Sequence, residues 1–463
     1  MVFIIQSYDS LIRKFVRISA GRHVDQTQGR SRFVLTHRGT DEANPIAPQR
    51  SRHVNTRDQS VLHEGTQAPA EVPKACATEF DSIALVLQGG GALGAYQAGV
   101  YEKLLEAGVE PTWVSGISIG AINSAIIAGN PREQRVERLR EFWELVSASG
   151  DGIVGDRWTG VPLVDTLHAW VNQVAAGRVL VQGVPGFFEP RVPPPYLSWP
   201  GLGATSFYDT TPLRATLERL VDFDRINARE MRLSIGAVNV RTGNFAYFDN
   251  AKDHIGPEHV MASGALPPGF DAVEIDGERY WDGGMVSNTP LDWVLSARSR
   301  LHTLVFQVDL WSARGEVPKD LAAVATRMKE IQYSSRTRTA TDAFRRTEKL
   351  RTAFNELLAM MPPDLAATPQ AQMLAEASDP ALYNIVELVY RSPTYEGQYK
   401  DFEFSRRTMK EHWQAGYADA TKTLAHEEIF QLPRFECNPA TYDFLTPPAH
   451  PLPLPPSAEK DPL

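Results

Sequence analysis

Ser118 lies in Gly116-Ile117-Ser118-Ile119-Gly120, a G-x-S-x-G pattern. The pattern carries chemistry when a strand precedes it and a helix follows. The strand-to-helix turn crowds the backbone, so its flanks must be glycine, and the serine oxygen is lifted clear of the sheet. A helix N-terminus at that point favours developing negative charge through its free N–H groups and its dipole. Pro111-Thr112-Trp113-Val114-Ser115 reads as the strand, and Ile119 to Ile127 as a small-residue helix stopped by Gly129-Asn130-Pro131. Ser118 is therefore the candidate nucleophile, with Gly116 and Gly120 as the elbow glycines. The plain alternative is a surface Gly/Ser turn.

A second glycine cluster, Gly89-Gly90-Gly91-Ala92-Leu93-Gly94, also falls between a strand and a helix. Gly89, Gly91 and Gly94 satisfy the dinucleotide fingerprint G-x-G-x-x-G, which also expects an acid about 20 residues on, at the end of the next strand. Glu110 has the spacing but precedes that strand. The competing reading is an oxyanion hole, in which successive glycines let backbone N–H groups converge on an anionic oxygen. Only this reading accounts for the G-x-S-x-G that follows. Gly89, Gly90, Gly91 and Gly94 are the candidates.

The third motif is Asp282-Gly283-Gly284. Asp276-Gly277 suits a hairpin turn and Tyr280-Trp281 a strand, so Asp282 leaves a strand end in a glycine turn. Alone, such a tripeptide is an ordinary turn; its weight comes from the combination. A serine nucleophile needs a base. After Asp282 the histidines are His302, at the start of an apolar strand, His412 and His426, in a charged helical region, and His450, in a proline-rich tail. None sits in a catalytic-type loop. His254 and His259 suggest a metal-like cluster, but a solvated loop is the simpler reading, and no metal or cofactor is expected. The economical arrangement is a Ser118–Asp282 dyad. A carboxylate is a weak base at its ordinary pKa, and burial in an apolar site raises that pKa.

These residues need a scaffold. Ile83 to Leu87 is a short apolar run of buried-strand length, followed by the glycine cluster and a helical pattern to Gly108. Strand–helix–strand–helix in this order is the signature of a parallel sheet with crossover helices. Further strands are expected at Leu233–Val240, Phe245–Phe248, Leu301–Leu310 and Tyr383–Tyr390, with helices over 321–360 and Ser405–Leu424. Between Pro185 and Pro212 lie seven of the 33 prolines, among Phe187, Phe188, Tyr196 and Trp199. This reads as an insertion over about 151–212 that shapes a lid or binding loop. From Pro433 onward nine prolines mark an irregular tail.

Composition narrows the class. The 463 residues are 43% hydrophobic and 22% charged, which excludes wholesale disorder, a collagen repeat or a coiled coil. Cys76 and Cys437 are the only cysteines, too few for a disulfide framework or a multi-thiolate zinc site. Residues 1–79 carry 11 Lys and Arg against 8 Asp and Glu, whereas the remainder is acidic. An acidic body argues against nucleic acid as a partner. The leader 1–79 lacks sustained periodicity and is expected to be disordered. Its first 19 residues mix apolar and basic side chains, as an interfacial helix or a transit peptide does.

At the three motifs the chain resembles the patatin-like phospholipase family. The likeness runs over roughly Ser82 to Gln307, and Gly89–Val100, Ala262–Pro268 and Tyr280–Leu291 look like bacterial members. It implies a three-layer α/β/α fold with a mostly parallel central sheet, a serine nucleophile at Ser118 and an aspartate base at Asp282 without histidine. Gly90 and Gly91, with their neighbours, would supply oxyanion N–H groups. Many members carry Arg or Lys after the glycine run, where this chain has Ala92-Leu93. Tyr333-Ser334-Ser335-Arg336 and Asp401-Phe402-Glu403-Phe404-Ser405 resemble the mainly helical C-terminal extension of a bacterial subgroup. The expected organisation is a leader (1–79), a catalytic domain (80–312), the extension (313–432), which covers the sheet edge, and a proline-rich tail (433–463). The expected activity is hydrolysis of lipid carboxylic esters, phospholipid or acylglycerol, through an acyl-enzyme. The expected setting is cytoplasmic, with peripheral contact to a membrane surface. The rivals are a His-assisted serine esterase and a nucleotide-binding oxidoreductase using Gly89–Gly94.

Overall fold

β1 (Ser82–Leu87) divides its side chains by parity. Leu85 and Leu87 join a large apolar cluster with Tyr96, Val100 and Leu104 of the helix Ala95–Glu106. Ala84 and Val86 join a second cluster with Leu291, Val294 and Leu295 of the helix Leu291–Ser296. Helices thus cover both faces, giving three layers. A strand buried on both faces reads as a continuous apolar run instead of an alternating one. The computed structural model describes residues 78–148, 165–195, 203–296, 301–334, 337–378, 381–434 and 438–446. The leader up to 77, parts of the insertion (151–164 and 196–202) and the tail from 447 lie outside the described residues.

The other strands are β2 (Trp113–Gly116), β3 (Glu189–Pro190), β4 (Tyr208–Asp209), β5 (Arg232–Asn239), β6 (Phe245–Asp249), β7 (Val273–Ile275), β8 (Glu278–Asp282), β9 (Thr303–Asp309), β10 (Tyr383–Val389) and β11 (Ala440–Tyr442). β3 and β4 pair only with each other, and the rest form one sheet in the order β11-β10-β9-β1-β2-β5-β8-β7, with β6 also on β5. From β11 to β5 every pairing is parallel; β6, β7 and β8 are antiparallel.

β5 organises the site. Its Ser234 and Ile235 pair with both β6 and β2, whereas Ala237 and Val238 pair with both β6 and β8. A strand has two edges, so β2 and β8 must share one of them in succession. They run head to head, ending at Gly116 and Asp282, with Gly236 at the gap. The Asp276-Gly277 turn that returns the chain into β8 has φ of 51° and 81°, the geometry of a tight two-residue hairpin.

The region after β9 extends the sheet at its β9 edge. β10 pairs with β9, and β11 with β10, so this region adds two strands to the catalytic sheet. β11 lies inside the stretch expected to be an irregular tail; three residues between prolines are enough for a short edge strand. The helix Arg406–Leu424 packs closely on Ala95–Glu106. A Cβ on Gly99 would stand 1.9 Å from the Trp413 carbonyl oxygen, and one on Gly416 2.0 Å from that of Tyr96. The helical stretch 321–360 is two helices, Leu321–Tyr333 and Thr337–Ala359.

The insertion contains an 18-residue helix, Asp165–Gln182, absent from the sequence reading. The prolines that marked the insertion all lie after it and coloured the whole stretch. Phe187 and Phe188 belong to the large apolar cluster. Both are buried, in ring contact with Phe270; Phe188 also meets Tyr208, and Phe187 meets Phe404 of the C-terminal region.

Candidate active site

Ser118 follows β2 and immediately precedes the helix Ile119–Ala128. Its backbone has φ 56° and ψ −123°, a left-handed conformation that costs a non-glycine residue about 1–3 kcal/mol. The flanking glycines are sterically required. A Cβ on Gly116 would stand 2.2 Å from the Gly120 carbonyl oxygen, and one on Gly120 2.2 Å from that of Leu87. The strained turn is tied down by Ser263, which the sequence reading missed. Ser118 N–H donates to Ser263 Oγ at 2.9 Å, and Ser263 Oγ donates to the Gly236 carbonyl at 2.6 Å. Ser263 thereby fills the gap between β2 and β8. Its only sequence signal is its place inside the Ala262–Pro268 stretch.

Asp282 ends β8 with its N–H donating to the Ala265 carbonyl at 3.0 Å. Its carboxylate accepts the Gly284 N–H at 2.7 Å, and the Ser118 hydroxyl stands beside it and favours its ionised form. The residue is 3% exposed. Burial pushes the carboxyl up to about 7, against the opposing pull of the nearby Ser118 hydroxyl and the Gly284 N–H. Gly283 must be small, because a Cβ there would stand 2.7 Å from the Gly236 carbonyl oxygen. The structure therefore brings Ser118 and Asp282 together across 164 residues of chain.

The four oxyanion candidates separate. Gly89 N–H is already used, donating to the Asn288 carbonyl at 3.2 Å, while Asn288 Nδ2 returns a bond to the Gly89 carbonyl at 2.9 Å. Gly94 is a packing glycine: a Cβ there would meet Ile119 Cγ1 at 2.5 Å and Trp143 Cζ2 at 2.9 Å. The Gly89 amide is thus engaged within the fold, and Gly94 is closely packed against the helix that follows Ser118. Gly90 and Gly91 remain, their N–H groups donating to no described residue. Gly91, at φ +55°, turns the next N–H outward, so that Ala92 donates to the Asp401 carbonyl at 2.9 Å.

No histidine among the described residues bonds to Ser118 or Asp282. His412 is buried with Nε2 2.8 Å from Glu396 and Nδ1 3.4 Å from the Ala92 carbonyl, so both nitrogens are engaged. Burial opposes its charge, yet the Glu396 carboxylate beside it raises its pKa. His302 Nδ1 accepts from Leu382 N–H, His426 stacks on Phe444, and His259 Nδ1 accepts from Gly256 N–H. His450 lies outside the described residues. Among the described residues no group of three or more His, Cys, Asp or Glu is placed to hold a metal ion. Glu110, the imperfect ribose acid of the dinucleotide reading, is ion-paired with Arg132 and Arg135. No described helix is long and apolar enough to cross a membrane.

The mostly parallel sheet under flanking helices, with the glycine loop and the serine elbow at the carboxyl ends of adjacent strands, defines an α/β enzyme scaffold. Residues 85–295 match the family model for patatin-like phospholipase, and residues 331–435 match a second, DUF3734, described as patatin phospholipase. The chain belongs to the patatin-like phospholipase family, with a C-terminal extension, and is a lipid acyl hydrolase. No curated protein matches it. Among solved structures, VipD from Legionella pneumophila aligns at 16% identity and a TM-score of 0.33, over 75% of this chain and 67% of that one.

Proposed function

We propose that Ser118 and Asp282 form the catalytic dyad of an enzyme that cleaves carboxylic esters of phospholipids or acylglycerols through an acyl-enzyme. The observation that carries this reading is the placement of the Ser118 hydroxyl beside the carboxylate of Asp282, buried at 3% exposure at the end of the facing strand, with its pKa raised by that burial to about 7. A base of that strength is matched to neutral pH. Asp282 takes the hydroxyl proton as Ser118 Oγ attacks the acyl carbonyl. The N–H groups of Gly90 and Gly91, with the N-terminus of the helix Ile119–Ala128, stabilise the oxyanion. Asp282 then gives its proton to the leaving alcohol oxygen. Water, deprotonated by Asp282, attacks the acyl-enzyme, releasing the fatty acid and restoring Ser118.

The test is a panel of phospholipids and acylglycerols incubated with wild type and Ser118→Ala, with released fatty acids read by mass spectrometry. Wild type should release fatty acid from at least one lipid class, and Ser118→Ala should release none above background. A fluorophosphonate probe should label wild type and not the variant. Equal release by the two proteins refutes the dyad.

A further inference from the structure

Resting on that dyad and its oxyanion amides, we propose that the C-terminal region completes the oxyanion loop, with Lys329 and Asp401 as positioning residues. Glycine is the most flexible residue, so three in a row cannot hold two amides in one direction unaided. Here the loop is gripped on both sides of Gly90 and Gly91. On one side, Gly89 is held by Asn288 in both directions, and its carbonyl also accepts from Trp311 Nε1 at 3.1 Å. The same Asn288 amide donates to the Tyr333 carbonyl at 2.7 Å, at the end of the helix Leu321–Tyr333.

On the other side stands Asp401. Its carbonyl accepts the Ala92 N–H, and a Cβ on Gly91 would lie 2.0 Å from that oxygen. The backbones touch at a place that admits only glycine. Asp401 is fixed in turn by Lys329, whose Nζ lies 2.7 and 2.9 Å from the two carboxylate oxygens and 2.8 Å from the Gln398 carbonyl. Lys329 belongs to the same helix that ends on Asn288. One helix therefore reaches both ends of the glycine loop, from Tyr333 by way of Asn288 and from Lys329 by way of Asp401. The amides left between the two grips are the ones proposed to receive the oxyanion. Oxyanion stabilisation depends on donors already in place, and a shift of about 1 Å costs up to roughly 100-fold in rate. Releasing Asp401 frees Ala92 N–H and lets the loop wander. The effect is selective for the transition state, because the oxyanion exists only there.

The experiment compares Lys329→Met, Lys329→Arg and Ser118→Ala on a p-nitrophenyl ester and on its thiono analogue. The analogue places sulfur, a poor acceptor of N–H bonds, where the carbonyl oxygen sits. Lys329→Met should lower kcat about 10-fold with KM within about twofold, and should shrink the preference for oxygen over sulfur. Lys329→Arg keeps a cation beside Asp401 and should recover most of both. A purely structural role would leave the preference untouched. Wild-type kcat and preference in Lys329→Met, with Ser118→Ala inactive, overturns the positioning role and leaves the dyad standing. Activity in Ser118→Ala overturns the dyad and this inference with it. Should Lys329→Met not accumulate as folded protein, Asp401→Asn removes the charge that Lys329 holds, keeps the carbonyl, and is read by the same preference.

Discussion

Asp282 and Ser118 meet because β8 and β2 occupy the same edge of β5 and end facing each other across Gly236. β2 delivers the serine from one direction and β8 the carboxylate from the other. Ser263, bonded to both Ser118 N–H and the Gly236 carbonyl, bridges the break between them. Their closeness is thus a property of sheet pairing more than of any loop.

The serine's backbone strain makes a separable prediction. Ser118→Gly removes the side chain that penalises φ 56°. The variant should be inactive yet more stable than Ser118→Ala by about 1 kcal/mol in urea unfolding. Equal stability of the two would remove strain from the account.

Asp282 sets a pH dependence in two observables. With Asp282 as the proposed base, kcat/KM should rise with pH through about 7, the value to which burial pushes this carboxyl. Stability runs the other way. The unfolded side chain releases its proton near 3.8, whereas the folded one keeps it to about 7. Between those values the folded state binds more protons, so this group's contribution to stability falls as pH rises and is level above the folded pKa. The stability advantage of Asp282→Asn should accordingly grow from pH 5 to pH 8, by roughly 2 kcal/mol. Denaturant unfolding at the two pH values checks it; an advantage that shrinks with pH contradicts the burial.

Ser263→Ala leaves the Ser118 N–H and the Gly236 carbonyl without their partner in a buried setting. The expected loss is about 2–4 kcal/mol, from two orphaned polar groups. It should be accompanied by a fall in kcat, since the elbow loses its tether. Chemical denaturation and ester hydrolysis measure both effects, and a variant with wild-type values in each would mean that the tether is dispensable.

Gly99→Ala and Gly416→Ala test the contact between the helices Ala95–Glu106 and Arg406–Leu424. In each a methyl group would overlap a backbone carbonyl of the other helix. Each should destabilise the protein by about 1–3 kcal/mol. The helix Ala95–Glu106 directly follows the glycine loop, so activity should drop as well. Thermal unfolding with a parallel activity assay decides.

The proposed nucleophile was legible because everything that defines its elbow is local. Strand, glycine, serine, glycine and helix follow one another within a few residues, and steric crowding admits no other residue types at Gly116 and Gly120. The run Ile83–Leu87 and the alternation of strand and helix likewise announced a buried parallel sheet. Asp282 was legible only in combination, since an Asp-Gly-Gly turn by itself is ordinary. The proposed oxyanion glycines were legible as a group but not one by one. Gly89 and Gly94 differ from Gly90 and Gly91 only in what the folded chain sets against them, Asn288 in one case and Ile119 with Trp143 in the other.

Sequence by itself determined the chemistry available: a serine on an elbow, a run of backbone amides free of side chains, and a carboxylate at a strand end. Tertiary structure alone decided that β2 and β8 share an edge, that burial raises the Asp282 carboxyl to about 7, and that residues beyond β9 join the same sheet and bond to the glycine loop. The reason is physical. The decisive contacts run through backbone atoms, the carbonyls of Asp401, Gly236 and Tyr333, which every residue possesses. A carbonyl leaves no mark in the choice of side chain, and only the folded chain shows which one reaches the site.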